Sequence, residues 1–387
     1  MMWAWGIAGA ALGAVWVWCV IDAFVGMRRV PDLAATDFDV PPWNEGGHAP
    51  SVCIVVPARN EAEHVEAAVR SLLALDYPRF RIIAVNDRST DGTGEILDRL
   101  AAEAPACLQV IRVASLPPDW LGKTHAMWMA AQRASEDWLL FTDADVCYRA
   151  DALRRAVGYA EASHGDHLAV FPRIETRTIG GHALVAFFGM LFMFWHRPWK
   201  VADPGAADCI GLGAFNLIRR EAYERVGTWK ALAMAVVDDM MLGEAVKRHG
   251  LAQRAAIGLD LVSVSWVRDG REVVRNLTKN FFAVTRYKWF LALGACAVLL
   301  LLNVAPFAGV VVAPRWSKLG FGAAVMTIGT VYVRMSRQSA ISPLYVFLHP
   351  LSALVFIYTL LRSMMLTLWR GGVVWRGTKY PLDDLRR

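Results

Sequence analysis

The chain has 387 residues, more than a single hydrophobic core usually holds, so two or more structural units are expected. It carries 41 Lys and Arg residues against 35 Asp and Glu, a net charge of +6, and 56% of its residues are hydrophobic. The basic excess lies beside long apolar runs and not in an aromatic-studded stripe. This pattern favours contact with anionic lipid headgroups and argues against a nucleic-acid-binding protein.

The first apolar run predicts an amino-terminal transmembrane helix over residues 1–27, followed by a linker at 28–50. Its only charged residue is Asp22, and it is long enough to cross a hydrocarbon core of about 30 Å. Arg28 and Arg29 follow the run, which is the reverse of the order in a cleaved signal peptide. The positive-inside rule then places the chain after Arg29 in the cytosol.

Three apolar runs, 289–313, 319–333 and 341–369, predict carboxy-terminal membrane helices within residues 289–370. Three crossings would put the C-terminus outside, whereas the basic tail at 371–387 indicates the cytosolic side. Either the run 319–333 does not fully cross, or the last run bends back at His349-Pro350. A further stretch, 182–199, predicts a buried core helix or a helix lying at the membrane interface.

Residues 51–288 predict a soluble α/β domain between the membrane runs. Short apolar runs typical of buried strands occur at 52–56, 81–85, 109–113, 138–141 and 168–171. Helical periodicity occurs between them, for example at 124–134 and 151–162. Strand and helix alternate, which predicts an open, mostly parallel sheet with flanking helices and a ligand crevice at the carboxyl ends of its strands.

Asp143 and Asp145 directly follow the predicted strand 138–141. Side chains two residues apart in extended backbone point the same way, so both carboxylates can face one ligand. Such a pair can hold a hard divalent cation that also bridges phosphates. An isolated Asp-x-Asp is common in surface turns, and it is the position at a strand end that makes this pair a candidate metal site.

Four further charged residues are candidates for binding or catalysis. Asp87 ends the second predicted strand, where a carboxylate suits a pyrimidine N–H or a ribose hydroxyl, although helix capping is the alternative. Lys123 can contact phosphate oxygens, or it is a solvated turn residue. Asp238 and Asp239 start a predicted helix, and adjacent carboxylates at this position often only interact with the helix dipole. Alternatively, one of them is a general base, and the charge of the other raises its pKa.

Together these residues resemble family 2 glycosyltransferases of the GT-A fold. The resemblance is carried by Val-Pro-Ala-Arg-Asn-Glu (56–61), Asn-Asp-Arg-Ser-Thr-Asp-Gly-Thr (86–93), Thr-Asp-Ala-Asp (142–145), Gly-Leu-Gly-Ala-Phe-Asn (211–216) and Asp-Asp-Met-Met-Leu-Gly (238–243). The layout of membrane helices is similar to the lipid-directed branch. Trp-Leu-Gly-Lys (120–123) and Trp-Arg-Gly-Thr-Lys-Tyr (375–380) resemble its carotenoid and hopanoid-associated members.

The resemblance implies a role for each matching position. The nucleotide pocket would be lined by Pro57, Arg59, Glu61 and Asp87. The diphosphate would be held through Mg²⁺ or Mn²⁺ by Asp143 and Asp145. The loop under the acceptor would contain Gly213 and Asn216. The catalytic base would be Asp239, beside Asp238, which stands where Glu is commoner.

The sequence departs from the family at the Q/R-x-x-R-W motif of processive synthases, because residues 271–280 read Arg-Glu-Val-Val-Arg-Asn-Leu-Thr-Lys-Asn. Polymer synthesis is therefore disfavoured, and Arg275 and Lys279 are alternative diphosphate clamps.

The resemblance implies an inverting, membrane-bound hexosyltransferase that moves one sugar from a nucleotide diphosphate sugar to a lipid hydroxyl. The expected nucleotide is a uridine nucleotide. The alternatives are a polyprenyl-phosphate sugar synthase, a polysaccharide synthase and an inactive membrane scaffold. The expected location is the inner (plasma) membrane, multi-pass, with a cytoplasmic catalytic domain.

Overall fold

The computed structural model describes residues 2–45, 47–337, 341–375 and 378–386, which form two compact units. The sheet unit comprises Arg29–Glu175 and His196–Trp266, and the helical unit comprises Met1–Arg28, Thr176–Trp195 and Val267–Arg387. The sequence places the end of the soluble domain at residue 288, whereas the sheet unit ends at Trp266. Arg376 and Arg387 of the predicted basic tail, and Gly377 of the 375–380 resemblance, lie outside the described residues.

The described helices, in chain order, are α1 Met2–Gly26, α2 Val65–Leu73, α3 Thr93–Glu103, α4 Gly122–Ala131, α5 Ala152–Ala162, α6 Ile179–His196, α7 Arg220–Arg225, α8 Asp238–Arg248, α9 Gly270–Val284, α10 Trp289–Leu299, α11 Ala305–Val312, α12 Lys318–Ser336, α13 His349–Arg370 and α14 Leu382–Leu385. The described strands are β1 Val52–Ala58, β2 Phe80–Asp87, β3 Leu108–Val113, β4 Trp138–Phe141, β5 Val146–Tyr148, β6 His167–Phe171, β7 Arg173–Ile174, β8 Asn216–Arg219, β9 Gln253–Ile257, β10 Val262–Val264, β11 Gly372–Trp375 and β12 Thr378–Pro381.

The main sheet has the strand order β3-β2-β1-β4-β8-β6-β9 and is parallel except for β8, which runs antiparallel to both of its neighbours. The predicted mostly parallel sheet is therefore confirmed. The chain builds β1, β2 and β3 outward in one direction and then returns to place β4 on the other side of β1. Such a reversal opens a crevice at the carboxyl ends of the two central strands.

The central strand β1 is buried on both faces. Its alternating side chains divide between two cores: Val52, Ile54 and Val56 pack with one, and Cys53 and Val55 with the other. All five are fully buried. Each large apolar side chain buried in this way contributes about 1.5–3 kcal/mol, which explains why the run is continuously apolar and not alternating.

The helical unit contains long apolar helices. Five segments are long and apolar enough to cross a membrane: Trp3–Arg29, Ile179–Lys200, Trp289–Val312, Arg315–Ser336 and Pro343–Arg370. The segment at Ile179–Lys200, which contains α6, cannot be a full crossing. The strand β6 precedes α6 and pairs with β8 and β9, which follow it, so all three strands must lie on the same side of any bilayer.

The structure contradicts one of the two expected ways to reconcile the C-terminal helices with the basic tail, the bend at His349-Pro350. Helix α12 has 19 residues and a length of about 28 Å, close to the thickness of a hydrocarbon core. His349 and Pro350 do not break the last helix, because they begin α13. Proline is tolerated in the first turn, where its missing N–H would have no intrahelical partner.

The third membrane-length segment changes its winding at Pro306. Proline cannot donate to the carbonyl four residues earlier, that of Leu302, and the helix forms a π-helical turn over Leu300–Val304. The indole Nε1 of Trp16 in α1 donates to Leu302 O at 2.8 Å. A side chain from another helix thus satisfies the carbonyl that Pro306 leaves without its usual donor.

Candidate active site

The candidate site lies at the carboxyl ends of β2, β1 and β4, which are neighbours in the sheet. Pro57 and Ala58 at the end of β1 pair with Val85 and Asn86 of β2, and Val55 pairs with Phe141 of β4. Because these strands are parallel, the polar residues that follow them emerge at one edge.

Asp87 is 3% exposed and is held mainly by the residue that follows it. Arg88 Nε lies 2.7 Å from Asp87 Oδ1 and Arg88 Nη2 lies 3.0 Å from Oδ2, and Arg59 Nη1 stands 3.9 Å from Oδ2. Arg88 adopts a left-handed backbone conformation, with φ of 55°. Gly122 at the start of α4 packs against this pair so closely that a Cβ there would overlap Asp87 Oδ2.

Side chains cross-link the loops that follow β1 and β2. Asn60 Oδ1 accepts from Thr90 N at 2.8 Å, and Glu61 N donates to Thr93 Oγ1 at 2.8 Å. Asn60 is in the left-handed region, with φ of 56°, and no side chain caps the start of α2. Asp91 Oδ1 accepts from Thr93 N at 3.0 Å, in the first turn of α3, so Asp91 and not Asp87 contacts the start of this helix.

Asp143 and Asp145 follow β4 on a turn that side-chain hydroxyls and backbone bonds fix. Thr142 N donates to Val55 O at 3.1 Å, and Asp143 N donates to Gly213 O at 3.0 Å. The hydroxyl of Tyr148 lies 2.6 Å from Thr142 Oγ1. Burial, together with the negative charges of Asp143 and Glu61, raises the pKa of the Asp145 carboxyl to about 7. The turn therefore concentrates negative charge where a cation would relieve it.

Lys123, in the first turn of α4, joins the two acidic pairs. Its Nζ atom lies 2.8 Å from Asp143 Oδ1 and 3.0 Å from Asp238 Oδ2. Burial alone would lower the pKa of this ammonium, but Asp143, Asp238 and Asp239 raise it above its ordinary value. Lys123 is therefore a fixed cation at the site.

Asp238 and Asp239 begin α8 and have different surroundings. Asp238 is 7% exposed and pairs with Lys123, and burial raises its pKa. Asp239 Oδ2 accepts from Gly213 N at 2.8 Å and Oδ1 accepts from Met240 N at 2.8 Å. Burial, and then the charge of Asp238, raise the pKa of Asp239 to about 6. Asp239 is only partly buried and its pKa is near neutral, so the geometry favours it over Asp238 as the base.

Gly213 and Asn216, both assigned to the acceptor loop, have different positions. A Cβ at Gly213 would lie 2.6 Å from Asp143 Oδ2 and 3.6 Å from Asp239 Oδ2, so this backbone lies directly beneath both carboxylates. Asn216 is 1% exposed, and its amide oxygen is bound by His167 Nε2. The geometry therefore favours a positioning role for Asn216 over direct contact with a substrate.

The acidic residues fit a divalent cation that phosphate oxygens help to hold. Among the described residues, no three His, Cys, Asp or Glu side chains group into a complete metal site. Mg²⁺ is commonly held by one or two carboxylates together with substrate phosphates, and Asp143 with Asp145 could supply them. The ammonium of Lys123, already placed on Asp143 Oδ1, indicates that this position attracts positive charge.

Of the alternative clamps, Arg275 pairs with Glu272 at 2.8 Å within the helical unit.

Comparison with known proteins identifies this arrangement. Residues 53–227 match the model of Glycosyl transferase family 2. This part of the chain is therefore similar to family 2 glycosyltransferases. Two curated relatives, the 4,4'-diaponeurosporenoate glycosyltransferases of Staphylococcus aureus strains bovine RF122 / ET3-1 and MRSA252, are each 23% identical over 341 residues, covering 86% of this chain and 89% of theirs.

A solved structure confirms the type of fold. The mannosyltransferase PcManGT from Pyrobaculum calidifontis, in complex with GDP-Man and Mn²⁺, aligns with a TM-score of 0.55 and 20% identity over 95% of this chain and 99% of that one. The chain thus has a GT-A-type fold, as its motifs predicted. Arg88, Gly122 and Tyr148 complete the site but were not singled out from the sequence. Arg88 and Gly122 lie within the matching stretches 86–93 and 120–123, whereas nothing local marks Tyr148.

Proposed function

We propose that this glycosyltransferase moves one sugar from a nucleotide diphosphate sugar to a lipid acceptor of the carotenoid type. The observation that carries the proposal is the position of Lys123 between Asp143 and Asp238, beside the partly buried carboxylate of Asp239. This arrangement combines groups that bind a diphosphate with a candidate base. The names of the curated relatives support the acceptor class.

The residues at the ends of β1 and β2 bind the donor. Asp87 accepts hydrogen bonds from the base or ribose, with Arg59 and Arg88 fixing its carboxylate, and Pro57 and Glu61 line the same end of β1. We expect a uridine nucleotide. A guanosine nucleotide is the alternative, since PcManGT was solved with GDP-Man.

Asp143 and Asp145 would hold Mg²⁺ or Mn²⁺ at the diphosphate. When bound, this ion neutralises the charge that develops on the departing diphosphate. Lys123 adds a second positive charge on the same side, and its pairing with Asp143 and Asp238 fixes its position before the donor arrives. Groups fixed in advance stabilise developing charge without the cost of reorganising at the moment of reaction.

The transfer is a direct displacement with inversion at the anomeric carbon. Asp239 removes the proton from the acceptor hydroxyl as the acceptor oxygen forms its bond to that carbon. The bond from the anomeric carbon to the diphosphate oxygen breaks on the opposite face, and its electron pair leaves with the nucleoside diphosphate. The proton remains on Asp239 until solvent removes it.

We place the enzyme in the inner (plasma) membrane, with four crossings and a cytoplasmic sheet unit. The crossings are Trp3–Arg29, Trp289–Val312, Arg315–Ser336 and Pro343–Arg370. Their exposed faces carry large apolar residues such as Trp18, Leu301 and Leu351, as expected for lipid contact. A lipid acceptor is available only at such a surface, which supports this location.

The decisive test measures products and metal dependence with purified protein in nanodiscs. A carotenoid acceptor with UDP- or GDP-sugar should gain the mass of one sugar, and activity should require Mg²⁺ or Mn²⁺. Asp145→Asn should lower the rate by about 10²-fold or more, because it removes a carboxylate from the metal pair. Asp98→Asn, on the exposed face of α3, is the matched control. Full activity in Asp145→Asn would contradict the metal role, and a ladder of masses would indicate a polymer synthase.

An acidic lipid acceptor is the second candidate, because the name of the relatives' acceptor denotes a carboxylate. A carboxylate nucleophile is already deprotonated at neutral pH and needs no general base. Asp239→Asn should therefore abolish transfer to a hydroxyl but leave much of the transfer to a carboxylate. Assaying the same variant with a carotenoid alcohol and the corresponding acid separates the two acceptor classes.

A further inference from the structure

Three buried polar side chains lie side by side on neighbouring strands of the main sheet. His167 on β6, Asn216 on β8 and Gln253 on β9 are 0%, 1% and 1% exposed. His167 Nε2 contacts Asn216 Oδ1, and Gln253 Nε2 lies 3.1 Å from His167 Nδ1. Burying a polar group costs free energy unless it is hydrogen-bonded, so we expect this chain of hydrogen bonds in the core of the sheet to have a specific role.

The direction of each bond follows from the chemistry of the groups. Burial lowers the pKa of His167 to about 4, so its imidazole is neutral in the working range and has one donor and one acceptor. Because Asn216 Oδ1 can only accept, His167 Nε2 carries the hydrogen. His167 Nδ1 must then accept from the amide nitrogen of Gln253, which sets the orientation of the Gln253 amide.

With this orientation, Gln253 holds two segments of the site. Its Oε1 accepts from Ile210 N at 2.9 Å, and its Nε2 donates to Gly243 O at 3.1 Å. Ile210 precedes the loop that contains Gly213, and Gly243 lies in α8, the helix that begins at Asp238. A single side chain therefore ties the loop to the helix.

The loop and the helix touch through backbone atoms. A Cβ at Gly243 would overlap Ile210 O, and a Cβ at Gly211 would overlap Asp239 O. This close approach brings Gly213 N to 2.8 Å from Asp239 Oδ2. Gln253 therefore joins the same two segments that this hydrogen bond connects.

We propose that Gln253 is a positioning residue for Asp239, acting through Ile210 and Gly243, and that His167 fixes its orientation. The proposal rests on the proposed function, in which Asp239 is the base. Gln253 lies on β9, at the opposite edge of the main sheet from β2 and β1, whose ends carry Asp87 and precede Arg59. Its loss should therefore impair the chemical step and leave nucleotide binding intact.

The test separates kcat from KM in purified protein. Methionine is similar in size to glutamine but cannot form the hydrogen bonds to Ile210 N and Gly243 O. The kcat of Gln253→Met should therefore fall by about 10²-fold, the scale expected when a reacting group is misplaced by about 1 Å. Its KM for the nucleotide sugar and its calorimetric affinity for UDP or GDP should stay within about twofold of wild type, because the donor pocket is untouched. His167→Phe keeps both bonds of Gln253 to the backbone and should show a smaller loss of kcat.

The matched control is Tyr77→Phe, which removes a hydrogen bond of 2.6 Å to Pro50 O elsewhere in the sheet unit. It should lower Tm without changing kcat. If Gln253→Met lowers Tm without changing kcat, or lowers kcat and nucleotide affinity in parallel, then Gln253 stabilises the fold and does not position Asp239. If Gln253→Met fails to fold, His167→Phe with unchanged kcat overturns the proposal. Full activity in Asp239→Asn would instead refute the base assignment of the proposed function.

Discussion

The Nζ atom of Lys123 lies 2.8 Å from Asp143 Oδ1, although the two residues belong to different elements, α4 and the turn after β4. The same ammonium also reaches Asp238 at the start of α8. Three segments that are remote in sequence therefore converge on one positive charge. This convergence makes a connected site from motifs that are individually common.

The first prediction concerns the charge of Lys123. Lys123→Met should lower kcat/KM by about 10²-fold or more, because it removes a fixed positive charge from the departing diphosphate and leaves the acidic residues uncompensated. Steady-state kinetics with the nucleotide sugar provide the measurement. Lys230→Met, at an exposed turn position, should retain full activity. An equal effect of the two substitutions would show that Lys123 has no role in transfer.

The second prediction concerns the pH dependence of transfer to a hydroxyl. The pKa of Asp239 is raised to about 6, first by burial and then by Asp238, and the base must be deprotonated to act. The rate should therefore rise with pH up to about 6 and level off above it. Asp238→Asn removes the negative charge that helps to raise the pKa of Asp239. The rising part of the pH–rate profile should therefore move to lower pH. If the acidic limb of the pH–rate profile stays in place in Asp238→Asn, that limb does not reflect the ionisation of Asp239.

The third prediction concerns Gly122, which packs beneath Asp87. A Cβ at this position would overlap Asp87 Oδ2 and would lie 2.9 Å from Arg88 Nη2. Gly122→Ala should therefore displace the carboxylate and weaken nucleotide binding by about tenfold, equivalent to about 1.4 kcal/mol. Calorimetric titration with UDP or GDP measures this change. Gly158→Ala in α5 is the matched control, because its Cβ would make ordinary contacts at 3.5 Å or more.

The fourth prediction concerns the hydrogen bond from Trp16 to Leu302. Trp16→Phe keeps an aromatic ring but leaves Leu302 O without a donor in an apolar surrounding, which should lower the free energy of unfolding by about 1–3 kcal/mol. Thermal unfolding in detergent measures this loss. The activity per folded molecule should be unchanged. Trp18 is 63% exposed, so Trp18→Phe should leave Tm nearly unaltered. Equal Tm values for the two variants would contradict the proposed role of this bond.

Several elements of the fold could be predicted from the sequence because their patterns are local. The strand predicted at 138–141 coincides with β4, and the helix predicted at 151–162 lies within one residue of α5. The role of Asn60 is not local in this way, because its side chain binds the backbone of the neighbouring loop. Strands β8 and β9 were not predicted. Their short runs acquire strand character from the neighbours with which they pair.

The sequence by itself determined the family that the domain resembles, the mostly parallel sheet and the acidic residues at strand ends. These features depend on residue order and on apolar periodicity, which can be read along the chain. Only the tertiary structure decided which carboxylate is held by Lys123 and which is held by Gly213 N, and that Gln253 joins the loop to α8. Such pairings depend on distances between residues far apart in sequence, and no local pattern encodes those distances.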